Sequence, residues 1–547
     1  MFIALVTFIA YAPALRGGFV FDDYNLIVEN PLVKANDGLR RFWFTTQAPD
    51  YYPLTWSLWW AEWRLWGDKP MGYHVLNVLL HTLNAVLIWF VLRKLAIPGA
   101  WWVAVVFAVH PVNVATVAWI SEQKNTLSMA FLMFAVLLYL RFETERRSNW
   151  YGLSLLAYLL ALLSKSAVVM LPVVLLGCVW WSRGRLKWKD CVHLAPYFVL
   201  SLGMACVTIW FQGHNVLNNE PPRAASLANR LAMAGSVPWF YLYKAILPVN
   251  LMMVYPQWDI VTSRWVSYLP GVMLAGGLLV LWWNRGTWGK PWLVGLGYFA
   301  VMLFPVSGFF DQAFYRFSPV ADHWQYYAIV GIIALAVVGL EGLCSHWGER
   351  GRQGATVVGV IVLALLVAST WKRARVYADD VTLWQDNVAR NPSPWPYNNL
   401  GCAFQRVGRF DDAVKELNQA LQLRPDYPEV QCNLGNVLSE VGRVDEAMAH
   451  WEKAVQLKPD YARAHYNLGL GLAQSGRLPE AISHWEQAVQ FNPNYAEAHY
   501  NLGIALEQSG EVTGAIRHYK IALECKPDYA KARKRLAAIS GSVPLHE

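Results

Sequence analysis

Residues 428–461 read PEVQCNLGNVLSEVGRVDEAMAHWEKAVQLKPDY, and the pattern returns through the C-terminal part of the chain every 34 residues. Asn-Leu-Gly stands at 399–401, 433–435, 467–469 and 501–503, and Pro at 425, 459, 493 and 527. Each unit then carries Gly (401, 435, 469, 503), Ala (413, 447, 481, 515), a bulky residue (Leu417, Trp451, Trp485, Tyr519) and a second Ala (420, 454, 488, 522). Small residues let the two helices of a unit approach closely, the bulky residue fills the gap, and Pro ends the second helix. Four units in register predict an α-solenoid over 394–541, with a divergent half-unit before it (Asp380 to Pro392) and a capping helix at 530–540.

A 34-residue helical pair is the tetratricopeptide period. Asn399, Asn433, Asn467 and Asn501 each precede a Leu-Gly, so stacking would set them in a row on the concave face. A carboxamide both donates and accepts, so such a ladder could hold the backbone of an extended acceptor peptide. It resembles the asparagine ladder in the repeats of the O-GlcNAc transferase. The plainer alternative is four solvated side chains.

Ahead of the repeats the composition changes. The 547-residue chain is 55% hydrophobic and 15% charged, and the charge deficit lies before residue 372; soluble domains carry about a quarter charged residues. A bilayer span needs about 20 mostly apolar residues. Eleven stretches qualify: 1–15, 74–92, 97–116, 125–140, 151–164, 166–181, 193–211, 268–283, 291–309, 326–344 and 355–371. The first, though short, reads as a retained span and not a signal peptide, because no small-residue cleavage site follows it. The apolar stretch 231–256 carries Pro238, Lys244, Pro248 and Pro256 and reads as interfacial or re-entrant. The expected fold class is therefore all-α: a polytopic membrane bundle over 1–371, a linker and half-repeat over 372–393, the solenoid over 394–541 and a tail over 542–547.

The net charge of +8 does not read as nucleic-acid binding, because the basic residues cluster between apolar runs, at Arg93-Lys94, Arg141 with Arg146-Arg147, Arg183 to Lys189, Arg285 with Lys290, and Arg350 with Arg352. By the positive-inside rule these loops face the cytoplasm, which puts the N-terminus inside and the repeats outside; Lys372, Arg373 and Arg375 oppose that orientation. Seven scattered Cys, with no CxxC pair, predict neither a disulfide framework nor a zinc site. The same topology gathers the loop 16–72, the His110–Lys124 segment and the 310–325 loop on one face.

Asp22 and Asp23 follow the first span directly, at the water boundary. Adjacent carboxylates there suit a general base and its orienting partner, or a solvated loop start with a capping Asp. They do not make a metal site without further ligands, so neither metal nor other cofactor is expected. The loop is crowded with aromatics, among them Phe42, Trp43, Phe44, Trp56, Trp59, Trp60 and Trp63, which read as an interfacial belt on amphipathic helices.

Phe21-Asp22-Asp23-Tyr24-Asn25, Asn30-Pro31 and Tyr52-Pro53-Leu54-Thr55 resemble the first loop of the transmembrane and tetratricopeptide-repeat-containing proteins. His110-Pro111-Val112, Ala118 to Lys124, Leu163-Ser164-Lys165 and Pro319 to Tyr326 match further blocks of that family, in order and ahead of repeats. The resemblance implies a GT-C membrane glycosyltransferase fold and an O-mannosyltransferase-like activity, with a polyprenyl-phosphate sugar as donor and a hydroxyl, that of a protein Ser or Thr, as acceptor. It also implies a bacterial inner-membrane protein, or an endoplasmic reticulum one if the chain is eukaryotic. The base would be Asp22 or Asp23, with Asp22 favoured, and inversion would follow from attack opposite the phosphate. Lys124, Lys165, Arg316 and His323 would bind the donor phosphate, Glu122 would support Lys124 across an i,i+2 turn, and His110 would shape a turn or donate a hydrogen bond. Family members often carry Arg at 323 and acidic residues at 125 and 166; here His323, Asn125 and Ser166 stand there. Two other readings remain: transfer to a glycan or lipid acceptor, and a non-enzymatic scaffold whose spans only anchor the repeats.

Overall fold

A computed structural model describes residues 1–216, 226–310, 312–345, 348–526 and 528–542; Asp311, Pro527 and residues 543–547 of the tail lie outside the described residues. Among those described, the chain is all-α, built of helices and short helical turns without strands. It divides into two compact units, Met1–Arg390 and Asn391–Glu547.

In the first unit seven helices are long and apolar enough to cross a bilayer: Pro70–Lys94, Ile120–Glu145, Ser166–Arg183, Trp188–His214, Trp265–Trp283, Gly289–Val306 and Gly348–Tyr377. Phe2–Tyr11, Ser148–Ser164 and Ile329–Cys344 are shorter apolar helices. The stretch expected as one straight span over 97–116 is bent by 48° between Ala100–Ala108 and Pro111–Val117. The cause is local: Pro111 cannot donate to the helix ladder, and His110 is extended (ψ 126°). The stretch expected as interfacial, 231–256, begins as a helix, Leu227–Ile246 with Pro238 inside it, and becomes irregular after Leu247. A Cβ on Gly235 would fall 2.6 Å from Gly271 Cα, so the helix lies directly on Leu269–Trp283. Small residues permit that approach where no hydrophobic force drives helices together in lipid.

The first loop is itself a packed layer. Phe42, Trp56 and Trp59 are buried with Phe19, Ile27, Leu32 and Tyr73, and the Phe42 and Trp56 rings stack at 5.4 Å. These aromatics, expected in an interfacial belt, instead form a core; Phe44 and Leu65 remain exposed. The helix Asp380–Arg390, placed by the sequence in the linker and half-repeat, is held within the first unit: Asn387 and Val254 exchange hydrogen bonds of 2.7 and 3.2 Å.

The second unit holds four helix pairs, from Pro394–Arg406 with Phe410–Leu423 to Ala496–Gln508 with Val512–Cys525, then Ala530–Ser542. A Cβ on Gly401, Gly435, Gly469 or Gly503 would meet Leu417, Trp451, Trp485 or Tyr519 at 2.6 Å, which is why each unit pairs a Gly with a bulky residue. The asparagine row is engaged differently from the ladder expected. Asn433 Nδ2 donates to Asn398 Oδ1 at 2.8 Å, Asn467 Nδ2 to Asn436 Oδ1 at 2.7 Å and Asn501 Nδ2 to the Tyr466 hydroxyl at 3.1 Å. Asn399 Nδ2 bonds back to Trp395 O at 2.8 Å. Three of the four carboxamides thus cross-link consecutive repeats, because stacking brings each within reach of its neighbour's first helix.

Candidate active site

The chain leaves its first helix through a turn at Ala14–Arg16 and reaches Phe21 in a left-handed conformation (φ +49°). A bulky side chain rarely adopts it, and such outliers cluster at functional sites. Phe21 aims the next two residues apart. Asp23 is fully buried and spent: it accepts from Val20 N at 3.0 Å, from Ser121 N at 2.7 Å and from the Ser121 hydroxyl. It fastens the loop to the 110–124 segment. Asp22 is only half-buried, and among the described residues none donates a hydrogen bond to it. A π-helical turn, Tyr24–Val28, follows, and Asn30 then caps Pro31–Lys34 by accepting from Leu32 N at 2.9 Å.

Facing this loop is Glu122, 1% exposed. Its carboxylate receives Lys124 Nζ at 2.9 Å and Lys165 Nζ at 3.2 Å, with His323 Nε2 at 3.9 Å and the Asn125 amide as a further donor. The i,i+2 pairing of Glu122 with Lys124 forms where a 3-10 turn, Ile120–Glu122, passes into a helix, the non-helical geometry it requires. Lys165 is part-buried beside the hub. It lies between two helices, held near Thr55, whose hydroxyl donates to Ser164 O at 2.8 Å. The Trp119 ring lies edge-on to His323 at 5.5 Å and tilted against Phe21 at 5.8 Å, filling the space between loop and hub.

Burial pushes the Asp22 carboxyl up to about 6, against the pull of Lys124. Burial pushes Asp23 up to about 7 despite its three donors. Burial brings the Lys165 ammonium down to about 8, with Glu122 opposing. Burial lowers His323 to about 4, so at neutral pH it is an uncharged ring and not the cation expected for the phosphate. The two ammonium groups share Glu122, and the carboxyls of Asp22 and Asp50 lie within the reach of the same charges.

Arg316 and His110 have contacts of their own. Arg316 ends a turn, Ala313–Arg316, where its carbonyl accepts from Gln257 at 3.0 Å; Glu122 draws its ion partners from Lys124, Lys165 and His323 instead. Nearby in sequence, Asp322 accepts from the Tyr255 hydroxyl at 2.7 Å. His110 does both things expected of it: Nδ1 accepts from Val112 N at 3.4 Å and Nε2 donates to Ala245 O at 3.1 Å. Two acidic residues were missed. Burial raises the Asp50 carboxyl, against the pull of Lys124 and Lys165, and Asp380 reaches the loop from beyond the last span. Asp50 stands two residues before the Tyr52-Pro53 block, the one sequence signal that pointed to it. Among the described residues, no three His, Cys, Asp or Glu side chains converge as a metal-ligand group.

Residues 407–442, 440–476 and 471–510 match the TPR repeat model, and 496–529 the tetratricopeptide repeat model. Over 446 residues the chain is 24% identical to the protein O-mannosyl-transferase F38B6.6 of Caenorhabditis elegans, covering 78% of this chain and 62% of that protein. Over 469 residues it is 24% identical to the human protein O-mannosyl-transferase TMTC3, covering 76% of this chain and 50% of that one. The crystal structure of MamA is 25% identical over 28% of this chain and 89% of its own, with a TM-score of 0.25. The chain thus spans 62% and 50% of the length of the two curated relatives. Over about three quarters of its length the chain is similar to the TMTC protein O-mannosyl-transferases, and its C-terminal part carries tetratricopeptide repeats.

Proposed function

We propose that this chain is a multi-pass membrane glycosyltransferase that moves mannose or a similar hexose from a polyprenyl-phosphate donor to a protein Ser or Thr hydroxyl, on the extracytoplasmic face. The observation that carries the reading is the half-open Asp22, to which none of the described residues donates a hydrogen bond, beside the Lys124–Glu122–Lys165 hub. Asp22 takes the proton from the acceptor oxygen as that oxygen bonds to the anomeric carbon, and the carbon–phosphate oxygen bond breaks on the opposite side, inverting the centre. The ammonium groups of Lys124 and Lys165 stabilise the departing polyprenyl phosphate. Asp23 is the positioning member of the pair. The names of the relatives support a protein acceptor, and repeats of this class suit a polypeptide partner.

The test is incubation of membranes holding the full chain with radiolabelled polyprenyl-phosphate mannose. Label entering protein, lost in Asp22→Asn with normal membrane insertion, is the expected result. Label entering only glycan or lipid moves the reading to another acceptor class. Full transfer by Asp22→Asn removes the base assignment.

A further inference from the structure

The segment after the last long apolar helix has no assigned role, yet it grips the loop that carries Asp22. Gly18 N donates to Ala378 O at 2.7 Å, and Phe21 N donates to Asp380 Oδ1 at 2.6 Å. The Phe21 ring meets Trp384 edge-on at 5.4 Å, with Trp384 1% exposed. A Cβ on Gly17 would lie 3.0 Å from Tyr377 O, so the two backbones run in contact. The far side of the same helix is anchored: Asn387 exchanges hydrogen bonds with Val254, and Asp386 ties Arg373 (2.7 Å) to Arg390 (2.6 Å).

We propose that Asp380 is a positioning residue for Asp22, which holds Phe21 in its left-handed conformation from the anchored helix Asp380–Arg390. This rests on the reading of Asp22 as the base. A left-handed Phe persists only where its surroundings over-determine it, and here those surroundings include the Asp380 carboxylate on the Phe21 amide and the Trp384 and Trp119 indoles against its ring. Without them the backbone relaxes to negative φ and swings Asp22 away from the Lys124–Glu122–Lys165 hub. Asp380 also acts through space, as a negative charge that holds the Asp22 carboxyl up.

Asp380→Ala and Asp380→Asn, in the full chain, separate positioning from folding. The amide oxygen of Asn still accepts from Phe21 N but carries no charge. Asp380→Ala is expected to lower kcat by roughly 10-fold or more, with donor KM within about twofold of wild type. Asp380→Asn is expected to restore kcat and to move the acid limb of the pH–rate profile a few tenths of a unit toward lower pH. Hydrogen exchange of residues 17–25 should rise in Asp380→Ala and not in Asp380→Asn. Unchanged kcat and exchange in Asp380→Ala overturn the proposal, and so does equal impairment of both variants with an unmoved limb. If the wild-type chain transfers no label, the transferase reading fails by itself; the exchange comparison then decides the positioning role, and equal exchange in wild type and Asp380→Ala overturns it.

Discussion

Glu122→Gln is the perturbation with the clearest magnitude. At 2.9 and 3.2 Å each lysine is drawn to the carboxylate by about 5 kcal/mol gross at an effective dielectric near 20. Most of that offsets desolvation, and removing one partner of a buried pair costs about 3–5 kcal/mol net. Lys165 has an exit. With its ammonium already down to about 8, shedding the proton at pH 7 costs about 1.4 kcal/mol, and less once the Glu122 charge is gone. The variant should therefore lose about 2–3 kcal/mol and one of its two cations. In detergent, where unfolding is irreversible, the measurement is a half-life at fixed temperature; a loss of that size shortens it roughly tenfold if half of it falls on the unfolding barrier. Donor KM rises in parallel. The gap to wild type should narrow above pH 8, because Lys165 is then neutral in both proteins. A half-life within about twofold of wild type, with unchanged donor KM, refutes Glu122 as the shared counter-ion.

Transfer should follow a bell-shaped pH profile. Asp22 acts ionised, so the rate rises through about 6, and Lys165 acts protonated, so it falls through about 8; rates that stay flat from pH 5 to 9 contradict both assignments. Asn433→Ala removes the bond to Asn398 and the one accepted from Arg463 at 2.7 Å, and should destabilise the repeats by about 1–2 kcal/mol in denaturant melts of the chain. Lost acceptor binding with no loss of stability would restore the peptide-ladder reading. His499 and His518 face each other through Nδ1 at 2.9 Å, and burial brings His518 down to about 4. The unfolded chain, titrating near 6.5, binds more protons than the folded one between those values, so repeat stability should fall as pH drops below about 6.5. Amide protection in Ala496–Cys525 measured at pH 7 and pH 5 checks the sign.

The repeats were readable because their physics is local. Gly435, Ala447, Trp451 and Ala454 pack within one unit, so a 34-residue period records the contact that caused it. The apolar helices were readable for a similar reason, since a bilayer demands length and composition of each span separately. Even the break at His110-Pro111 followed from a proline rule, although the sequence had suggested a single span. The two aspartates show where such reading ends. The resemblance favoured Asp22 as the base, but the physical difference between the two carboxylates comes from Ser121, 98 residues away, which occupies Asp23 and leaves Asp22 open. Glu122 likewise reads as a helper of Lys124 until the fold delivers Lys165 and His323 to it. Asp380 reads as the start of a half-repeat until Phe21 N is found on its carboxylate, 359 residues from it in sequence. Sequence by itself determined the elements and their class, because helix period, span length and small-residue spacing act between near neighbours. Only the tertiary structure decided which acid is free, which charges compensate each other and what holds the loop, because desolvation and ion pairing depend on which distant groups are brought within a few ångströms.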